Sequence, residues 1–146
     1  MTDYRKLDVF ALAHELAVEV FRVTEKLPRG KRGELGDQLR RASMSIPANI
    51  VEGCGRDSDP DMLRHFRIAL GSAGEVEYFL VYARDTGLLA SAVTDPLIAK
   101  AASVRRMIAG FIKGIQGNRR PAAGSGGASE LLAEARRPTA EALARR

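Results

Sequence analysis

Hydrophobic residues recur along this chain every three or four positions, the spacing of one face of an α-helix. Val9, Ala13, Leu16, Val20, Val23 and Leu27 form the first stripe, with Phe10, Ala17 and Phe21 as a second apolar line beside it. Together they predict a helix from about Leu7 to Leu27. "LPRGKRG" follows as a loop, punctuated by Pro and Gly and made basic by Arg29, Lys31 and Arg32. A second stripe of Leu35, Leu39, Ala42, Ile46, Ile50 and Gly53 predicts another helix from near Glu34. An interior proline costs about 3 kcal/mol. The stripe nonetheless keeps its phase across Pro47, which predicts one kinked helix rather than two elements. Gly53 or Gly55 is expected to end it in a left-handed conformation.

The third helix has its own start signal: Asp59 as N-cap, Pro60 at the first helical position and Asp61 near the positive end of the dipole. It is expected to reach Asp85 or Thr86, with Gly87 as the C-terminal cap. Asp95-Pro96 repeats the signal, and Leu97, Ala101, Val104, Ile108, Phe111 and Ile115 give the fourth helix its stripe. Four helices with short connections predict an all-α fold, an antiparallel up-down-up-down four-helix bundle over residues 1–117. From Asn118 the composition changes to that of a linker and then to a helix-prone stretch broken by Pro138. Residues 118–146 are therefore expected to form a flexible or weakly helical tail outside the core.

Composition agrees with this architecture. The chain of 146 residues has no tryptophan and 5% aromatic residues, which favours helices over sheets. A single cysteine excludes an internal disulfide and fits a reducing compartment. No apolar run resembles a secretory signal or approaches the length of a membrane span, so the expected location is the cytoplasm. The net charge of +5 needs dividing before it is used. The tail holds six arginines against three glutamates, leaving the first 117 residues with 17 basic and 15 acidic side chains. The isoelectric point alone therefore argues little for nucleic-acid binding.

The outer side of the second helix is unusual. Gln38, Arg41, Ser45, Asn49, Glu52 and Arg56 occupy one narrow polar arc. The core stripe lies on one side of that arc, and Met44, Ala48 and Val51 lie on the other. Two buried faces would explain this, one in the bundle and one against another subunit, with Phe10, Phe21, Met44 and Val51 at the contact. Fuller enclosure by the chain's own core would also explain it. Glu75 lies in line with Ile68, Ser72 and Phe79, which predicts partial burial and a bridge to Arg40 or Arg41.

No catalytic constellation is visible. His14 and His65 lie on different helices, and Cys54 stands near a helix C-terminus, where the dipole disfavours a thiolate. His14 is expected to be half-buried between phenylalanines and His65 to be on the surface. The glycines follow no strand and fit no phosphate-binding fingerprint. Neither metal nor cofactor is expected. The few aromatic residues fall mainly on core stripes, so no exposed platform for stacking bases is anticipated.

"KLDVFALAHELAVEVFRVTEKLP", "QLRRASMSIPANIVEGCGR" and "FRIALGSAGEVEYFLVYARDTGLL" resemble the bacterial four-helix-bundle family encoded in intervening sequences of large-subunit ribosomal RNA genes. The accessory variability protein of diversity-generating retroelements is a relative of that family. The resemblance covers about residues 4–116 and places Gln38, Arg40, Arg41, Ser45, Pro47, Asn49, Glu52, Gly53, Arg56, Gly71, Ser72 and Glu75 on the family motif. It implies a ring-like homopentamer and, by way of the retroelement relative, a basic surface that contacts RNA and a reverse transcriptase. Ala11-Leu12, Lys31 and the arginine-containing tail depart from the family pattern.

Two functional expectations follow. One is a non-enzymatic, homo-oligomeric accessory protein that associates with RNA or a ribonucleoprotein, with a reverse transcriptase or ribosomal component as its protein partner. Its basic contacts would be Arg29, Lys31, Arg32, Arg41, Arg56, Arg119 and Arg120. The other is a protein–protein adaptor with no nucleic-acid contact.

Overall fold

A computed structural model of the chain describes residues 2–117, apart from the side chains of Arg29, Lys31 and Arg32. The expected tail at 118–146, including Arg119 and Arg120, lies outside the described residues. A short 3-10 turn (Tyr4–Lys6) precedes four helices: α1 (Asp8–Glu25), α2 (Arg29–Cys54), α3 (Asp59–Asp85) and α4 (Ser91–Gly117). Consecutive helices pack side by side, and α4 closes against α1, so each helix has two neighbours around one core. This is the expected four-helix bundle.

The stripes meet inside it. Leu16, Leu39, Ile46, Ile50, Leu63, Phe66, Leu80 and Ile108 are among the fully buried side chains. Phe66 stacks on Phe111 with ring centroids 4.3 Å apart, joining α3 to α4. Leu27, Ala83 and Leu89 form a smaller cluster of buried residues. On α1 the last turn of the stripe runs through Thr24, which is fully buried, while Val23 is only half-buried.

α2 is continuous through Pro47, which is itself buried. Its interior break falls instead at Gly33, the one residue with non-helical backbone angles (φ −16°, ψ −127°). Within the expected loop at 27–33, residues 29–32 thus form a helical turn joined to the main helix across a bend, and the main run still begins near Glu34. Neither Gly53 nor Gly55 is left-handed. Gly53 is inside the helix, and Gly55 closes it in a right-handed conformation (φ −84°), donating to the Val51 and Glu52 carbonyls. The Cys54 carbonyl accepts from the Thr2 amide at 3.2 Å, so the N-terminal segment completes this helix end.

Two starts shift from expectation. Ser58, rather than Asp59, caps α3, its hydroxyl accepting from the Asp61 amide. α4 begins at Ser91, before Asp95-Pro96, because the Ala90 carbonyl already accepts from the Val93 and Thr94 amides. Asp95 is engaged elsewhere, in an ion pair with Arg84 at 3.1 Å. Gly87 does take the left-handed conformation expected of it (φ +74°), which lets the chain reverse between α3 and α4.

Candidate interaction surface

Arg40 secures α1 to α2. Its Nε donates to the Thr24 hydroxyl at 2.7 Å, and its guanidinium reaches Glu25 at 2.8 Å. The same group lies 4.8 Å from the centre of the Phe21 ring, within cation–π range. The Thr24 hydroxyl in turn donates to the Val20 carbonyl, so this buried polar group is satisfied from both sides. The expected bridge from Glu75 to Arg40 or Arg41 is absent. Glu75 is exposed and joins no ion pair among the described residues, because its line on α3 turns outward beside Ile68 instead of inward.

Between α2 and α3 lies a ladder of polar side chains. Ser72 donates to the Ser45 hydroxyl at 2.9 Å, and the Asn49 amide donates to the Ser45 carbonyl and hydroxyl at 2.8 and 3.1 Å. That leaves the Asn49 carbonyl oxygen as an acceptor, and His65 Nδ1 stands 3.2 Å from it. His65 is therefore half-buried with a defined role, not a free surface histidine. One turn further on, Gly53 permits close approach of the helices. A Cβ there would stand 2.9 Å from two Phe66 ring carbons and 3.3 Å from the His65 Cβ. The motif residues Ser45, Asn49, Gly53 and Ser72 thus act in one helix–helix seam.

The outer side of α2 is not enclosed by the chain's own core. Met44 is 64% exposed, Phe21 on the adjacent side of α1 is 51% exposed, and Val51 is half-buried. Phe10 is more internal than expected for a contact residue. It packs edge-on against Tyr4 at 4.8 Å and stacks with His14, which is exposed rather than half-buried. Phe21, Met44 and Val51 remain as an open apolar strip across α1 and α2.

Of the expected basic contacts, the side chains of Arg41 and Arg56 are described, and they stand apart on α2 and just beyond its end. Arg41 is exposed on α2, one turn from Asp37, and Arg56 is ion-paired with Glu52. Gln38 is exposed and Glu52 serves Arg56. Arg29, Lys31 and Arg32 occupy the first turn of α2. Lys100 of α4 is held by α1, reaching Glu19 at 2.8 Å and Glu15 at 3.1 Å. Burial pulls its ammonium pKa down, but the hydrogen bonds it donates to Glu19 and Glu15 outweigh that and raise it above the ordinary lysine value.

Two exposed tyrosines were missed by the sequence reading. Tyr78 and Tyr82 on α3 are 61% and 49% exposed, with ring centroids 6.4 Å apart. The signal was present: both fall opposite Ala73, Val76 and Leu80 on the helix, so they could not share the core stripe.

Catalytic chemistry finds no support among the described residues. No three His, Cys, Asp or Glu side chains gather as a metal site. Burial pushes the Cys54 thiol up to about 11, which keeps it protonated and unreactive. No described helix is long and apolar enough to cross a membrane.

Known proteins add the family. A solved structure from Bacteroides thetaiotaomicron, described as a protein of unknown function from the S23 ribosomal protein family, is 24% identical. It matches 72% of this chain and 98% of its own with a TM-score of 0.69, so the two share the bundle fold. No functionally curated protein matches the sequence. Residues 5–110 match the model of the 23S rRNA-intervening sequence proteins, and the chain belongs to that family.

Proposed function

We propose that this protein is a non-enzymatic accessory protein that self-associates through α1 and α2 and associates with RNA or a ribonucleoprotein. The open strip of Phe21, Met44 and Val51 carries the reading, because an exposed apolar surface of this kind marks a contact with another protein. A second copy of the chain is the partner in this reading, arranged as a pentamer in keeping with the family resemblance. A ring repeats each basic group around its axis, which strengthens a field that one subunit supplies only modestly. Arg29, Lys31, Arg32 and Arg41 contribute to that field. A reverse transcriptase or a ribosomal component would be the protein part of the bound particle.

Sedimentation of the full chain, with and without RNA at low salt, tests both parts. The reading predicts a mass several times 15.8 kDa. It also predicts RNA retention that falls steeply as salt rises. A monomer at micromolar concentration would refute self-association. The adaptor reading has one observation in its favour: Arg40, Arg56, Arg84, Arg105 and Lys100 are each paired with a carboxylate inside the chain. An oligomer that retains no RNA at any salt concentration would establish it instead.

A further inference from the structure

The outer faces of α3 and α4 carry cations and rings that the bundle does not use. Arg64, Arg67, Tyr78 and Tyr82 are all exposed, and on α3 they fall within an arc of roughly 60° opposite the buried stripe. Gly71 lies inside that arc and has nothing within 4 Å of where a Cβ would stand, so the floor between arginines and tyrosines is low and open. On α4, Arg106 and Lys113 are exposed on one face, roughly 10.5 Å apart along the helix. α4 has no carboxylate from Pro96 to Gly117. Arg105 crosses to α3 and neutralises Glu77 at 2.9 Å. Arg64, Arg67, Arg106 and Lys113 join no ion pair among the described residues. Glu75, exposed one turn from both Gly71 and Tyr78, lies about 20° outside this arc and is the carboxylate that a polyanion must pass.

We infer that the α3–α4 face is a binding surface for single-stranded RNA, with phosphates on Arg64, Arg67, Arg106 and Lys113 and bases stacked on Tyr78 and Tyr82. The inference rests on the RNA-associated reading above and assigns it a surface. Unpaired cations alone would serve any polyanion. The tyrosines narrow the choice, because a ring face held in water is a stacking partner only for a base whose own face is free. A duplex hides those faces within its stack and is recognised by shape and backbone instead.

The test uses the full chain with two labelled probes of equal phosphate count, an oligouridylate and a hairpin duplex, followed by fluorescence anisotropy across a salt series. Tyr78→Ala with Tyr82→Ala should weaken oligouridylate binding by about tenfold or more while leaving the hairpin and the salt slope unchanged. Tyr78→Phe with Tyr82→Phe should restore it. Arg106→Gln with Lys113→Gln should weaken both probes and flatten the log–log salt slope for the oligouridylate by about 1.4, the loss of two phosphate contacts. Circular dichroism of each variant should match the parent, since all four side chains are outside the core. Parent-like binding by both pairs of variants, with loss only on Arg29, Lys31 and Arg32 replacement, would overturn the α3–α4 assignment while the RNA-associated reading stands. A change in sedimenting mass on tyrosine replacement would make this face a subunit contact and also overturn it. A parent protein that binds neither probe would remove both.

Discussion

The two halves of the bundle differ in what stands exposed among their charges: Phe21 and Met44 on α1–α2, Tyr78 and Tyr82 on α3–α4. In the α1–α2 half, Arg40 is turned to Glu25 and Thr24 and Arg56 to Glu52, and the open positions between them are Phe21, Met44 and Val51. In the α3–α4 half, carboxylates are scarce on α4, and Arg64, Arg67, Arg106 and Lys113 join no ion pair among the described residues, although Arg106 donates to the Ser103 hydroxyl within α4. An exposed apolar crest is suited to another protein surface. Unpaired cations beside exposed rings are suited to a polyanion whose base faces are free. Net charge does not separate the two: residues 2–57 hold ten basic and nine acidic side chains, and residues 58–117 hold seven and six.

The seam between the halves is the most damaging place to intervene. Gly53→Val should lower stability by about 3 kcal/mol, because the new side chain would stand inside contact distance of a Phe66 ring already stacked on Phe111. Thermal unfolding would show it as a drop of several degrees. A parent-like midpoint would mean that the helices separate freely and that the halves are only loosely joined.

Met44→Glu addresses the α1–α2 half. Isolated subunits should unfold as before, within about 0.5 kcal/mol, since Met44 is exposed in the protomer. The assembly should dissociate, because a carboxylate buried without a partner costs several kcal/mol at a contact. Sedimentation distinguishes this from Tyr78→Ala in the other half, which should leave the mass unchanged.

Arg40→Met should cost about 1 to 2 kcal/mol, through loss of the Thr24 hydrogen bond and of the cover over Phe21. Glu75→Gln should change the thermal midpoint little, within about 0.5 kcal/mol, because the carboxylate is solvated. A large effect at Glu75 would show that this part of α3 is covered in the assembly.

Lys100 gives a modest effect and a pH signature. Its pKa is raised in the folded state, so its stabilising contribution is complete below the unfolded lysine value and is lost as pH rises through the folded one. The contribution is about 1 kcal/mol, discounted because Glu15 is largely solvent-exposed. Comparing Lys100→Met with the parent by urea unfolding should show a gap at neutral pH that narrows above pH ~10.

Much of the fold was legible because a bundle writes its core as periodicity. The stripes through Leu16, Ile46 and Ile108 are buried as their spacing required, and the unbroken phase across Pro47 outweighed the local penalty of the ring. Helix ends were less legible, because they depend on contacts distant in sequence. Thr2 completes the α2 terminus, and Arg84 takes Asp95 away from any role in starting α4. The site was legible only in part. Periodicity marked the apolar residues Met44 and Val51, but it could not choose among carboxylates for Arg40, since Glu25 and Glu75 differ only in which way their helices face. Tyr78 and Tyr82 were overlooked for a simpler reason. Aromatic character was read as a sign of the core, although their positions on α3 put them outside it.

The α2–α3 seam has a consequence for time as well as for energy. It is fixed at two heights, by the Gly53–Phe66 notch and by the Ser45–Asn49–His65–Ser72 ladder, so sliding one helix past the other would break both together. α1 and α4 share the least packing of the four neighbouring pairs and are tied by Lys100. The bundle therefore has a slow side and a fast side. Amide hydrogens of α2 and α3 that face the seam should exchange only on global unfolding, while those along the α1–α4 edge should exchange through smaller and more frequent openings. A bound partner could open the cylinder along that edge without disturbing the residues that define the family motif.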